Sequence, residues 1–466
     1  MDLTTALICI AATTFAVCYA WGMRGAVIGG EKGAMLPGAY AGLILAWFSG
    51  GEIRENFWIP AAAAAMGMTF GGTETYGETI GLVLHRGRAD HNPKKGYTGL
   101  SFKGALWFCV CGGFIGVSFA SMTHELYSAR DLVILCLLIP VIQKIGYNIF
   151  NTPYDKQKKI YPKIFFSLTR REEWGSNVAL IVSLVTMAMI KGDWFTLSMM
   201  ASGFVFGAIG WLVAMKGYVL VALPLKNGKY LLDKLLKKGL VDGWKLMEFV
   251  LGAFGGFGLS LAFCMQFGYV EKYNDIINKN GGIVQLNNAF GNFVPLAATA
   301  CILGILAINI YQFICGKKNK KVDYFFWDRI ERPLYNVIPM LFVLLGSELT
   351  AKIMTVFMLF FGCAIKCAFD RFEDAKFLPF GQAVVGIICA AVYAGCFTDY
   401  YSPLVLVAAG IIPYMATELV YSVWNNKRKG QELRHLLTET AFGTVYPTFL
   451  LQCAVILIAS WKIFAF

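Results

Sequence analysis

Apolar blocks long enough to cross the hydrocarbon core of a bilayer recur along this chain. They lie at approximately residues 3–22, 33–49, 58–84, 103–122, 131–150, 174–191, 194–222, 245–268, 294–315, 335–347, 351–366, 378–397, 402–424 and 446–464. About 20 apolar residues in helical geometry span a membrane, and a helix satisfies its own backbone polar groups inside lipid. Composition agrees, with 57% of residues hydrophobic and only 15% charged, which excludes an ordinary soluble domain. The expected fold is an all-α polytopic membrane protein of about 14 transmembrane helices, with residues 1–466 forming one integral membrane domain. The first block, Leu3 to Tyr19, has no basic stretch before it and no small-residue cleavage site after it, so it reads as a retained helix and not as a signal peptide.

A formal net charge of +12 could suit nucleic acid, but Lys and Arg gather in short connections between the blocks. Basic clusters fall at 85–103, 156–171, 226–245, 317–321, 371–376 and 427–434, whereas the alternate connections 50–57, 267–292 and 398–403 are neutral or acidic. Positive charge collects on the cytoplasmic side of membrane proteins. The expected partner is therefore the lipid bilayer, with no nucleic acid; the basic loops are cytoplasmic, both termini are outside, and a bacterial inner membrane suits the pattern. The 13 cysteines sit mostly within apolar blocks and the 4 histidines are scattered, with no zinc spacing and no HExxH pattern, so neither a metal nor a cofactor is expected.

An internal repeat is also legible. At an offset of 136 residues, Trp58, Gly67, Phe70, Gly71, Gly81, Val83 and Leu84 fall on Trp194, Gly203, Phe206, Gly207, Gly217, Val219 and Leu220. In the following blocks Gly112, Gly113, Phe114 and Ser118 resemble Gly255, Gly256, Phe257 and Ser260. Tyrosine followed by a basic run closes each unit, at Tyr147, Tyr311 and Tyr421. This predicts tandem four-helix units in parallel orientation at 21–150, 174–315 and 335–424, flanked by one helix at each end, the last at 446–464.

The segment GGTETYGETIG, Gly71 to Gly81, lies inside the third apolar block. Carboxylates at membrane depth are costly unless they face protein or a watered cavity, and such residues usually mark function. Glu74 and Glu78 stand one helical turn apart, and Gly71, Gly72, Gly77 and Gly81 permit either a break in the helix or a close neighbour. The corresponding positions in the second unit, Gly210 and Ala214, carry no acid. Tyr76 and Thr73 could orient a substrate or a proton. A second candidate segment, Trp21 to Gly42, sets Arg24, Glu31 and Lys32 among glycines; an arginine beside accessible backbone amides suits a carboxylate, a phosphate or a sugar hydroxyl array, and orientation charges between two spans fit equally well. Glu248, Glu348 and Glu418, within or at the ends of apolar blocks, are weaker candidates that could complete a polar interior.

Two functions follow, ahead of a third, a structural or regulatory subunit of a larger complex, which the lack of any soluble domain in the loops weakens. One is a secondary transporter of a small polar or anionic solute, with Glu74 or Glu78 binding a proton or cation and Arg24, Glu31, Thr73 and Tyr76 on the substrate path. The other is a membrane-embedded enzyme, a glycosidase-like hydrolase or group transferase on a carbohydrate or lipid-linked substrate, with Glu74 and Glu78 as acid and nucleophile or base.

Overall fold

Side-chain caps satisfy first-turn amides at several of the apolar blocks: Asp2 accepts the Thr5 amide, Asn92 that of Lys95, Ser128 that of Asp131 and Asp193 that of Thr196. In the computed structural model the described residues are 1–23, 30–72, 74, 76–85, 87, 90–224, 228, 243–283 and parts of 300–351. They form α1 (Leu3–Met23), α2 (Gly30–Phe48), α3 (Gly51–Glu55), α4 (Trp58–Gly72), α5 (Gly77–Leu84), α6 (Pro93–Ser121), α7 (Ala129–Phe150), α8 (Trp174–Lys191), α9 (Trp194–Ala222), α10 (Gly243–Met265) and α11 (Phe267–Lys279). Later in the chain a π-helical turn, Pro333–Val337, runs into α12 (Ile338–Leu344). Among the described residues no strand occurs, and α1, α6, α7, α8, α9 and α10 are each long and apolar enough to cross a membrane. This is an all-α membrane protein.

Among the described residues most of the expected blocks are single helices, and two that differ bear on the site. The block expected to begin at 103 begins at Pro93, because Asn92 accepts the Lys95 amide at 3.0 Å and Pro93 presets the first turn. Lys94, Lys95 and Lys103 are thus helical residues and not loop charges; Lys95 lays its ammonium over Phe165 at 3.6 Å. The block 58–84 is divided into α4 and α5, whereas α9, which begins at the matching Trp194, runs unbroken for 29 residues. The blocks at 378–397, 402–424 and 446–464, nearly all of that at 351–366 and part of that at 294–315 lie outside the described residues, as does the third expected unit apart from its first residues.

Helices α1, α2, α4, α6, α9 and α10 pack pairwise in that order, and α10 returns to α1, closing a ring of six. Helix α6 also carries α5 and α8, and α7 pairs with α8 outside the ring. Between lipid-solvated helices there is little hydrophobic driving force, so close approach of backbones supplies the contact. Glycines four apart provide it. A Cβ on Gly203 or Gly207 of α9 would lie 2.2 Å from the carbonyl oxygens of Phe108 and Gly104 on α6. Gly38 and Gly42 of α2 would meet α4 carbonyls at 2.3 Å, and Gly252 and Gly256 of α10 would meet α1 carbonyls at 2.6 and 2.8 Å.

One end of the ring is tied by polar contacts. Gly50 and Gly51, at φ of 66° and 54°, turn the chain from α2 into α3. Asn274 on α11 then donates to the Ser49 carbonyl at 3.0 Å and accepts the Ile53 amide at 3.1 Å. Nearby, buried Asp193 accepts the Tyr127 and Tyr273 hydroxyls at 2.7 and 3.3 Å and caps α9 through the Thr196 amide. Residues 90–92 and the connection 151–173 lie at the opposite end. Asn274→Ala is expected to lower stability by about 1–3 kcal/mol, since it strands a buried carbonyl and amide together; thermal unfolding in detergent measures it.

Candidate functional site

The interruption between α4 and α5 sets the site. Helix α4 ends at Gly72, α5 begins at Gly77 with no side-chain cap from Tyr76, and Glu74 stands between them with its amide on the Gly71 carbonyl at 3.1 Å. The Glu74 side chain is 1% exposed, so its charge must find partners inside the protein. Its Oε1 accepts the Glu173 amide at 2.7 Å, and its Oε2 lies 3.8 Å from Lys103 Nζ.

Lys103 comes from the middle of α6 and is fully buried. Its ammonium donates to Glu172 Oε1 at 3.0 Å and to Thr79 Oγ1 of α5 at 3.1 Å, with the Phe166 ring 5.7 Å away. Glu172, also buried, is held from its other oxygen by the Phe166 amide at 2.7 Å. Two carboxylates therefore share one ammonium, and four pieces of chain supply them: the interruption, α5, α6 and the connection leading into α8.

Tyr76 reaches other partners. Its hydroxyl donates to Glu248 Oε1 on α10 at 2.7 Å, and the same oxygen accepts Trp244 Nε1 at 3.0 Å. The tyrosine ring lies 5.8, 5.3 and 5.6 Å from Trp107, Trp211 and Trp244, and Trp21 stacks on Trp107 at 5.3 Å. These spacings are those of packed aromatic rings. The segment after α4 thus joins two clusters, an ion cluster through Glu74 and an aromatic cluster through Tyr76.

Beside the ion cluster a cleft of about 260 Å³ opens between α7, the start of α8 and the turn Pro333–Val337. It shares two residues with its surroundings in the site: Phe70, on the last turn of α4, and Glu173, whose amide holds Glu74 while its carboxylate accepts Arg332 Nη1 at 2.6 Å.

Of the residues expected from sequence, Glu74 and Tyr76 belong to this arrangement, and Glu78 sits half-buried in the first turn of α5. Arg24 and Thr73 lie outside the described residues, as does the side chain of Glu31, in the first turn of α2. Lys103, Thr79 and Glu172 were not anticipated: Lys103 had been assigned to the edge of a basic loop, and Glu172 was masked by its neighbours Arg170 and Arg171. A lone lysine followed directly by Gly104 and an apolar run was the available signal. Among the described residues no group of three His, Cys, Asp or Glu side chains is arranged to hold a metal ion. Set against protein-family models, curated proteins and solved structures, the chain matches none, which leaves the chemistry of this site as the ground for a functional reading.

Proposed function

We propose that the chain is a multi-pass membrane transporter of a small polar or anionic solute, coupled to a proton or a cation through Glu74. The observation that carries this reading is the buried Glu74–Lys103–Glu172 cluster at the interruption between α4 and α5. One ammonium balances one carboxylate. A proton or monovalent cation balances the second, and its arrival or departure changes which acid Lys103 holds. Because α4 and α5 share no continuous backbone ladder, α5 can shift against α4 without breaking a helix, carrying Thr79 and Glu78 with it. Tyr76, Glu78 and, from the undescribed stretches, Arg24, Glu31 and Thr73 remain assigned to the substrate path, with the basic loops on the cytoplasmic side.

The alternative, a glycosidase-like enzyme with Glu74 and Glu78 as its acid and base, asks Glu74 to face a substrate. Its burial and its bonds to the Glu173 amide and Lys103 favour ion coupling instead. Proteoliposomes holding a pH- or sodium-sensitive dye, challenged with a panel of organic anions, phosphate and sugars, test the proposal. At least one solute is expected to drive ion flux in the wild type, with Glu74→Gln reducing it at least about tenfold while the protein stays monodisperse. Wild-type flux in Glu74→Gln would refute the coupling assignment, and turnover of a glycoside that Glu74→Gln abolishes would establish the enzyme.

A further inference from the structure

We propose that the cleft between α7, α8 and Pro333–Val337 binds a phosphate group, carried by a membrane lipid or present as the free ion. Three cations, Lys144, Arg171 and Arg332, surround one carboxylate, Glu173, in about 260 Å³. Among the described lining residues the cations outnumber the carboxylate in a partly enclosed space, which suits a phosphate oxyanion as partner to their N–H donors. The geometry suits the fork of a guanidinium. Arg171 places its guanidinium carbon over the Tyr147 ring, 3.9 Å from the centroid, which restricts where its donors sit, and Lys144 Nζ stands 5.4 Å from the same ring. A stacked arginine presents its donors pre-organised for the paired oxygens of a phosphate. Ser176 and Gln143 add hydroxyl and amide groups to the wall.

The cleft is amphiphilic. Phe70, Pro140 and Val337 form its apolar part, and α7 beside it turns Leu137, Val141, Ile145 and Ile149 outward. A phosphate at the polar part with an acyl or isoprenoid chain along the apolar part matches that division, and a free phosphate would use the polar part alone. The site deepens the transport reading, because Glu173 joins cleft and ion cluster: a phosphate that draws Arg332 away leaves the Glu173 carboxylate without its 2.6 Å cation, on the residue whose amide holds Glu74. That coupling rests on the proposed function. Binding itself does not.

The test uses the full-length protein in a non-ionic detergent, titrated calorimetrically with dihexanoyl phosphatidic acid, inorganic phosphate and dihexanoyl glycerol. Phosphatidic acid is expected to bind saturably and the glycerol lipid not at all. The double variant Arg171→Gln/Arg332→Gln is expected to weaken phosphatidic acid about 10- to 100-fold, the loss of one to two charge-assisted hydrogen bonds. Inorganic phosphate that binds comparably and is equally sensitive to the variant identifies the free ion as the ligand; weak phosphate with strong phosphatidic acid identifies the lipid. Lys144→Gln, at an exposed position of α7, repeats the measurement should the double variant fail to fold, with a several-fold weakening expected. The proposal is overturned by no saturable binding of either phosphate probe, by equal binding of dihexanoyl glycerol, or by unchanged affinity in the variants. Glu74→Gln is expected to keep phosphate binding. Retained binding together with wild-type flux in that variant would remove the transport reading and leave the cleft standing.

Discussion

Lys103→Met is expected to cost about 3–5 kcal/mol of stability, the largest loss from any single change of charge in the described structure. Methionine keeps most of the side-chain volume, so packing against Thr79 and Phe166 is largely preserved and the loss is electrostatic. Without the ammonium, Glu74 and Glu172 remain together in a site that is 1% and 5% exposed at those residues. Each then lacks its cation, and neither can regain water. Thermal unfolding of the solubilised protein, followed by size exclusion, should show an early transition and aggregation. Neutralising both acids as well, in Glu74→Gln/Lys103→Met/Glu172→Gln, should recover a substantial part of the loss, because buried ions are worse alone than absent. Wild-type unfolding of Lys103→Met would show that no ionised network holds these elements together.

The next largest effect is expected at the crossing of α6 and α9. Gly207→Val places a Cβ 2.2 Å from the Gly104 carbonyl oxygen, and the obstacle is backbone, which cannot rotate aside. The helices must separate, breaking the reciprocal contact at Gly104, where an added Cβ would meet the Gly207 carbonyl at 2.4 Å. Overpacking of a core commonly costs about 1–3 kcal/mol, and a backbone-to-backbone contact belongs at or above the top of that range. Gly217→Ala on the same helix is the control. No atom lies within 4 Å of its added Cβ, and alanine in a helix interior should be neutral or stabilising by up to about 1 kcal/mol. Similar unfolding temperatures for the two variants would contradict the close crossing.

Helix α1 and the pair α8 and α9 were legible nearly to the residue, since burial in lipid demands an uninterrupted apolar run and any charge or cap marks its end. Helix α6 was misjudged at its start by about ten residues. Its first turns are exposed and basic, and their helicity comes from Asn92 and Pro93, a signal local to the cap that hydropathy does not register. The glycines of α4 announced a possible interruption but also fitted a close helix contact. Both readings hold, at different residues: Gly71 packs against Trp107, whereas α4 stops at Gly72.

Hydropathy along the chain is a one-dimensional property, and it was sufficient to establish that this is a helical membrane protein and that Glu74 is a costly residue to bury. Which groups meet that cost is a matter of three dimensions. Lys103 and Glu172 are 69 positions apart, and the amide that holds Glu74 is 99 positions away. No periodicity links such residues; the packing of α6 between α4 and α9 in the ring of six, with close backbone contacts at glycine, brings the first of them into place, and the fold of the connection before α8 brings the second. The cleft arose in the same way, from Tyr147 on α7, an arginine in the connection after it that only packing could bring to 3.9 Å, and another arginine before Pro333.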